Sequence, residues 1–129
     1  MSEVATLIVD DEEALRCVIA IVLEQAGYRV FTAESGSEAL AILAKEKIDL
    51  VISDIVMPET DGIELVREIR TKFPQVKIIS MSGGGSYLTA ALCLKLAGQM
   101  GASGILSKPF TSEQLLESVK NALVSPAKP

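Results

Sequence analysis

Thr6-Leu7-Ile8-Val9-Asp10-Asp11 and Asp49-Leu50-Val51-Ile52-Ser53-Asp54 decide how this chain folds. Each is a short apolar run, rich in β-branched residues, that stops on an acid, as expected of a strand buried on both faces of a sheet. Between them the period changes. From Glu12 onward Ala14, Leu15, Val18, Ile19, Val22 and Leu23 recur at helical spacing until Gly27 supplies a stop. Arg29–Ala33 reads as a second strand. Ser35-Gly36-Ser37-Glu38 then opens a helix, with Ser35 as cap and Glu38 placed to reach back to it, and Ala39, Leu40, Ile42 and Leu43 form its apolar face.

The same alternation continues downstream. After a loop containing Met57-Pro58, Gly62–Lys72 reads as a helix with Ile63, Leu65, Val66 and Ile69 inward, closed by Phe73-Pro74. Residues 76–81 form strand four, Ser82-Gly83-Gly84-Gly85-Ser86 a loop, and 87–100 a largely covered helix. Ile105-Leu106-Ser107 is the fifth strand. Thr111 caps a last helix, with Gln114 at the reciprocal position and Leu115, Leu116, Val119 and Leu123 facing the core. Five strands alternating with five helices imply a doubly wound α/β sheet of parallel strands joined by right-handed crossovers. The expected organisation is one domain over residues 1–129, with its core at about 6–124 and a frayed tail or start of a linker at 125–129.

Composition narrows the function. Of 129 residues 49% are hydrophobic and 22% charged, a globular balance. Twelve basic against 17 acidic residues give a net charge of −5, which argues against a basic surface for nucleic acid or anionic lipid. No apolar run is long enough to span a bilayer and the first residues lack a signal-peptide pattern, so the cytoplasm is the expected compartment. With no histidine in the chain, Ser–His–Asp and Cys–His catalysis are excluded, as is a His-containing zinc site. Cys17 and Cys93, each inside an apolar helical stretch, are expected to be plain buried thiols.

Ligands of doubly wound folds collect beyond the carboxyl ends of the strands. There stand Asp10 and Asp11 after strand one, Asp54 after strand three, Ser82 after strand four and Lys108 after strand five. If strands one and three are neighbours, three acids share one small pocket. Two unit charges about 4 Å apart repel by about 1 kcal/mol in water and about 4 at an effective dielectric near 20, so the cluster wants a cation. Oxygen-only donors favour Mg²⁺. With a divalent ion, a carboxylate nucleophile, a lysine, a hydroxyl and loop N–H groups, the parts match phosphoryl transfer, with Asp54 as the expected nucleophile.

Asp10-Asp11, Asp54 with Met57-Pro58-Glu59-Thr60-Asp61-Gly62, Ser82-Gly83, and Lys108-Pro109-Phe110 together resemble the receiver domain of two-component response regulators, over about residues 6–124. The resemblance implies a flavodoxin-like sheet in strand order 2-1-3-4-5. It implies that Asp54 accepts a phosphoryl group from a histidine of a sensor kinase or histidine phosphotransferase. Asp11, Asp54 and the backbone carbonyl of Val56 would bind Mg²⁺, with Asp10 acting largely through coordinated water. Lys108 would contact the phosphoryl group, Ser82 would be the switch hydroxyl, and the N–H of Gly83 would assist it. Output to a downstream partner would use the last two helices and the fifth strand. Such a protein stores a signal by self-phosphorylation and slow self-dephosphorylation and is not an enzyme in the turnover sense.

Two departures stand out. Ile105 occupies the switch position where the family usually carries an aromatic residue, which leaves Tyr87 as a possible substitute from the neighbouring helix. The segment between Ser82 and Lys108 looks about one helical turn longer than usual, and Gly83-Gly84-Gly85 gives it backbone freedom. A metal-dependent aspartyl-phosphate phosphatase is the enzyme alternative, but Val56 stands where such enzymes carry a second acid. A flavodoxin-like electron carrier is the other, but Asp10-Asp11 would repel a flavin phosphate and the chain has no Trp and two Tyr.

Overall fold

The computed structural model describes residues 4–54, 62–82 and 104–124. Five strands, β1 (Ala5–Val9), β2 (Arg29–Ala33), β3 (Leu50–Asp54), β4 (Lys77–Ser82) and β5 (Gly104–Ser107), form one parallel sheet in the order β2-β1-β3-β4-β5. Four described helices accompany them: α1 (Glu13–Gln25), α2 (Gly36–Lys45), α3 (Gly62–Lys72) and α4 (Ser112–Val124). The doubly wound α/β reading and its strand order are borne out. The helix expected at 87–100 lies outside the described residues, as do the glycine triplet, Tyr87, Val56 and Cys93.

Alternation along the strands splits the core in two. Leu7, Val9, Val51 and Ile78 meet Ala39 and Leu43 of α2 and Leu65, Val66 and Ile69 of α3 on one face. Ile8, Leu50, Ile52, Ile79 and Met81 meet Ile19 and Leu23 of α1 and Leu115, Val119 and Ala122 of α4 on the other. Because β1 and β3 are buried on both sides, their side chains carry almost no exposure along the whole run.

The helix ends follow local chemistry. Ser35 Oγ accepts from the Glu38 N–H at 3.2 Å. Thr111 and Gln114 make both bonds of a capping box, Thr111 N–H to Gln114 Oε1 at 2.9 Å and Gln114 N–H to Thr111 Oγ1 at 3.0 Å. Gly27 ends α1 at φ +96°, a left-handed conformation that a Cβ would strain.

Two expectations about α1 are corrected. Ala14 and Val18 face solvent, Val18 at 57% exposure, and Cys17 is an exposed thiol. The apolar stripe of this helix is wider than the surface its neighbours cover. Ile19 and Leu23 fill the core and Leu15 and Val22 lie at its margin, while Ala14, Cys17, Val18 and Ile21 form the uncovered remainder.

Candidate functional site

Asp10 follows the last residue of β1, and its backbone N–H still donates to the Ala33 carbonyl of β2 at 3.1 Å. The chain then turns into α1. Asp10 Oδ1 accepts from the Glu12 N–H at 2.9 Å, which fixes that turn and leaves Oδ2 aimed along the rim of the sheet. The helix N-cap itself is Glu12, which makes no side-chain cap bond, so neither acid of the pair serves as the α1 cap. Asp54 ends β3, directly beside β1 in the sheet. Asp10 is fully buried and Asp54 nearly so, whereas Asp11 is exposed.

Lys108 enters from the end of β5. Its Nζ donates to Asp10 Oδ2 at 3.0 Å and to Asp54 Oδ2 at 3.0 Å, with its side chain only 16% exposed. Burial pulls its pKa down, but the hydrogen bonds and charges of the two aspartates outweigh this and hold the ammonium above its ordinary value. Charge-assisted bonds of this length are the strong class of hydrogen bond.

Asp10, Asp11 and Asp54 each offer a carboxylate oxygen, all within 4.8 Å of one another. As carboxylates, three against one ammonium leave two negative charges, the complement of one divalent cation. Oxygens sharing one Mg²⁺ at about 2.1 Å stand roughly 3 to 4.2 Å apart, so these donors need only a small inward movement. The all-oxygen donor set and its spacing fit a hard divalent ion.

Of the residues read from sequence, the structure therefore brings Asp10, Asp11, Asp54 and Lys108 together. Ser82 ends β4 one residue past Met81, the register partner of Asp54, and pairs with Ser107, which puts its backbone on the same rim. Val56 and Gly83 lie outside the described residues. Ile105 is 47% exposed on β5, at the end of the described strand order. Sequence reasoning missed the second bond of Lys108, to Asp10. It also missed Arg16, whose Nη1 donates to the Asp10 backbone carbonyl at 2.6 Å. The only signal for Arg16 was a basic residue one turn into an apolar helix, which is too common to be read.

Residues 6–120 match the family model of the response regulator receiver domain. This chain belongs to that family. The receiver is 39% identical over 117 residues to the transcriptional regulatory protein GlrR of Escherichia coli K12, an alignment covering 91% of this chain and 26% of that protein. It is 41% identical over 119 residues to the sensor kinase CckA of Brucella abortus, covering 91% of this chain and 12% of that one. The chain thus spans about a quarter or less of these curated relatives. Among solved structures, the chemotaxis response regulator CheY4 of Vibrio cholerae superimposes with a TM-score of 0.83 at 33% identity, over 95% of this chain and all of that one. The receiver is a phosphoryl-accepting signalling switch of two-component systems. Neither the phosphatase nor the electron-carrier alternative fits this family.

Proposed function

We propose that Asp54 is the phosphoacceptor of this receiver and that Asp10, Asp11 and Asp54, with the Val56 carbonyl, hold Mg²⁺. The observation that carries this reading is Lys108 Nζ at 3.0 Å from the buried carboxylates of both Asp10 and Asp54, with the exposed Asp11 beside them. A carboxylate oxygen of Asp54 attacks the phosphorus of a partner's phosphohistidine. The new O–P bond forms as the P–N bond breaks, and the imidazole leaves with the electron pair. When bound, Mg²⁺ supplies charge neutralisation at the phosphoryl oxygens. Lys108 hands its Asp54 bond to a phosphoryl oxygen, a move that keeps its ammonium paired with Asp10. Ser82 and the Gly83 N–H bond the remaining oxygens.

The donor is a sensor histidine kinase or a histidine phosphotransferase. Its seat is an apolar groove of about 380 Å³ between α1 and the start of α4, lined by Leu15, Val18, Val22, Lys108, Pro109 and Phe110. Contiguity with Lys108 supports this, because a protein that delivers phosphorus to Asp54 must press on the surface beside that lysine. Output leaves through β5, with Ile105 in place of the usual aromatic, through α4 and through the helix expected from the sequence at 87–100. The chain works as one receiver domain with its core at about 6–124, in the cytoplasm, without catalytic turnover. No described helix is long and apolar enough to cross a membrane.

The nucleophile assignment is tested by Asp54→Asn, assayed by intact-mass spectrometry after incubation with acetyl phosphate and Mg²⁺. The expected result is complete loss of the added phosphoryl mass. Undiminished uptake in the variant overturns the assignment.

A further inference from the structure

We propose that Arg16 is a positioning residue for the cation site, holding the Asp10–Asp11 turn so that Asp11 faces the other two acids. This rests on the Mg²⁺ reading above. β1 ends at Val9, so the Asp10 carbonyl lies past the described strand, and the Glu12 N–H at the start of α1 is taken by Asp10 Oδ1. Arg16 supplies the missing donor from the first turns of α1, with a short 2.6 Å bond to that carbonyl.

The consequence follows from peptide planarity. The Asp10 carbonyl and the Asp11 nitrogen belong to one rigid unit, so fixing the carbonyl fixes the plane from which Asp11 departs. Asp10 is held at every polar atom: N–H by Ala33, carbonyl by Arg16, Oδ1 by Glu12 and Oδ2 by Lys108. Asp11 is exposed, and its side chain makes no hydrogen bond among the described residues. Its carboxylate therefore depends on the backbone for its direction, and that backbone is set by two side chains, Asp10 through the Glu12 N–H and Arg16 through the Asp10 carbonyl. Without the clamp the turn samples orientations that carry Asp11 away from Asp54. Partners that orient metal ligands from behind typically contribute 10–100-fold to metal affinity.

Positioning and charge make opposite predictions. Arg16 brings a cation toward a cation site, so deleting the charge alone tightens Mg²⁺ binding. Deleting the clamp weakens it. Mg²⁺ binding by calorimetry, with MgCl₂ as titrant, is compared in wild type, Arg16→Met, Arg16→Lys and Asp11→Asn. The expected result is about a tenfold loss in Arg16→Met with partial recovery in Arg16→Lys, which keeps one donor. In metal-free protein, amide exchange at Glu12 should quicken in Arg16→Met. Unchanged or tighter Mg²⁺ binding by Arg16→Met, or equal loss in both Arg16 variants, overturns the proposal. If Arg16→Met does not fold, Arg16→Lys decides alone: measurably weaker binding supports the clamp and unchanged binding overturns it. Failure of Asp11→Asn to weaken binding sinks the cation-site reading itself, a result distinct from failure of the Arg16 variants.

Discussion

At the carboxyl ends of β1 and β3 two buried carboxylates share one ammonium, while one rung below Asp54 a buried hydroxyl has no hydrogen-bond partner among the described residues. Ser80 sits opposite Ser53 in the β3–β4 register, on the α2/α3 side of the sheet. Ser53 Oγ donates to the Asp54 carbonyl at 3.1 Å, but Ser80 Oγ is buried with no hydrogen-bond partner among the described residues. Charges cost far more to bury unpaired than a hydroxyl does, so the fold tolerates an orphan at Ser80 and could not tolerate one at Asp10. The rim is therefore tightly specified even without a metal, and the layer beneath it is only approximately so.

The contrast is sharpest in Lys108→Met. Removing the shared cation from Asp10 and Asp54 should destabilise the metal-free protein by about 2 kcal/mol, the low side for buried pairs because the lysine keeps some exposure. Urea unfolding measures this, and adding Mg²⁺ should shrink the gap between variant and wild type. A variant as stable as wild type without metal would mean that the ammonium does not hold the rim together.

A smaller effect is expected with pH. Lys108 binds its proton more tightly folded than unfolded, because its folded pKa is raised. The linked stabilisation is complete below the unfolded lysine pKa and is lost as pH rises through the higher folded value. Metal-free wild type should lose stability in that alkaline window more steeply than Lys108→Met, as urea midpoints would record. The smallest effect is at Ser80→Ala, which removes the orphan hydroxyl and should be neutral or stabilising by up to about 1 kcal/mol. A clear loss of thermal stability there would show that the hydroxyl is satisfied in solution and would erase the contrast.

Much of the site was legible because its parts sit at strand ends. Asp10, Asp11, Asp54 and Lys108 each follow or close a short apolar run, and a parallel sheet lines up such ends on one rim. The Thr111–Gln114 box was equally readable, since both partners lie within four residues. Exposure on α1 was not. Periodicity identifies the apolar residues of a helix but not how wide a band its neighbours cover, which is why Cys17, expected to be buried, is exposed beside Val18.

The sequence by itself determined the alternation of strands and helices, the acids that end two buried strands, and the lysine that follows the fifth. These depend on local period and on the chemistry of single residues. Only the tertiary structure decided that Lys108 spans Asp10 and Asp54, that Arg16 closes on the Asp10 carbonyl, and that Ser80 is left unpaired among the described residues. Each of those is a matter of a few tenths of an ångström between groups brought together by packing, and hydrogen bonds are made or lost on that scale.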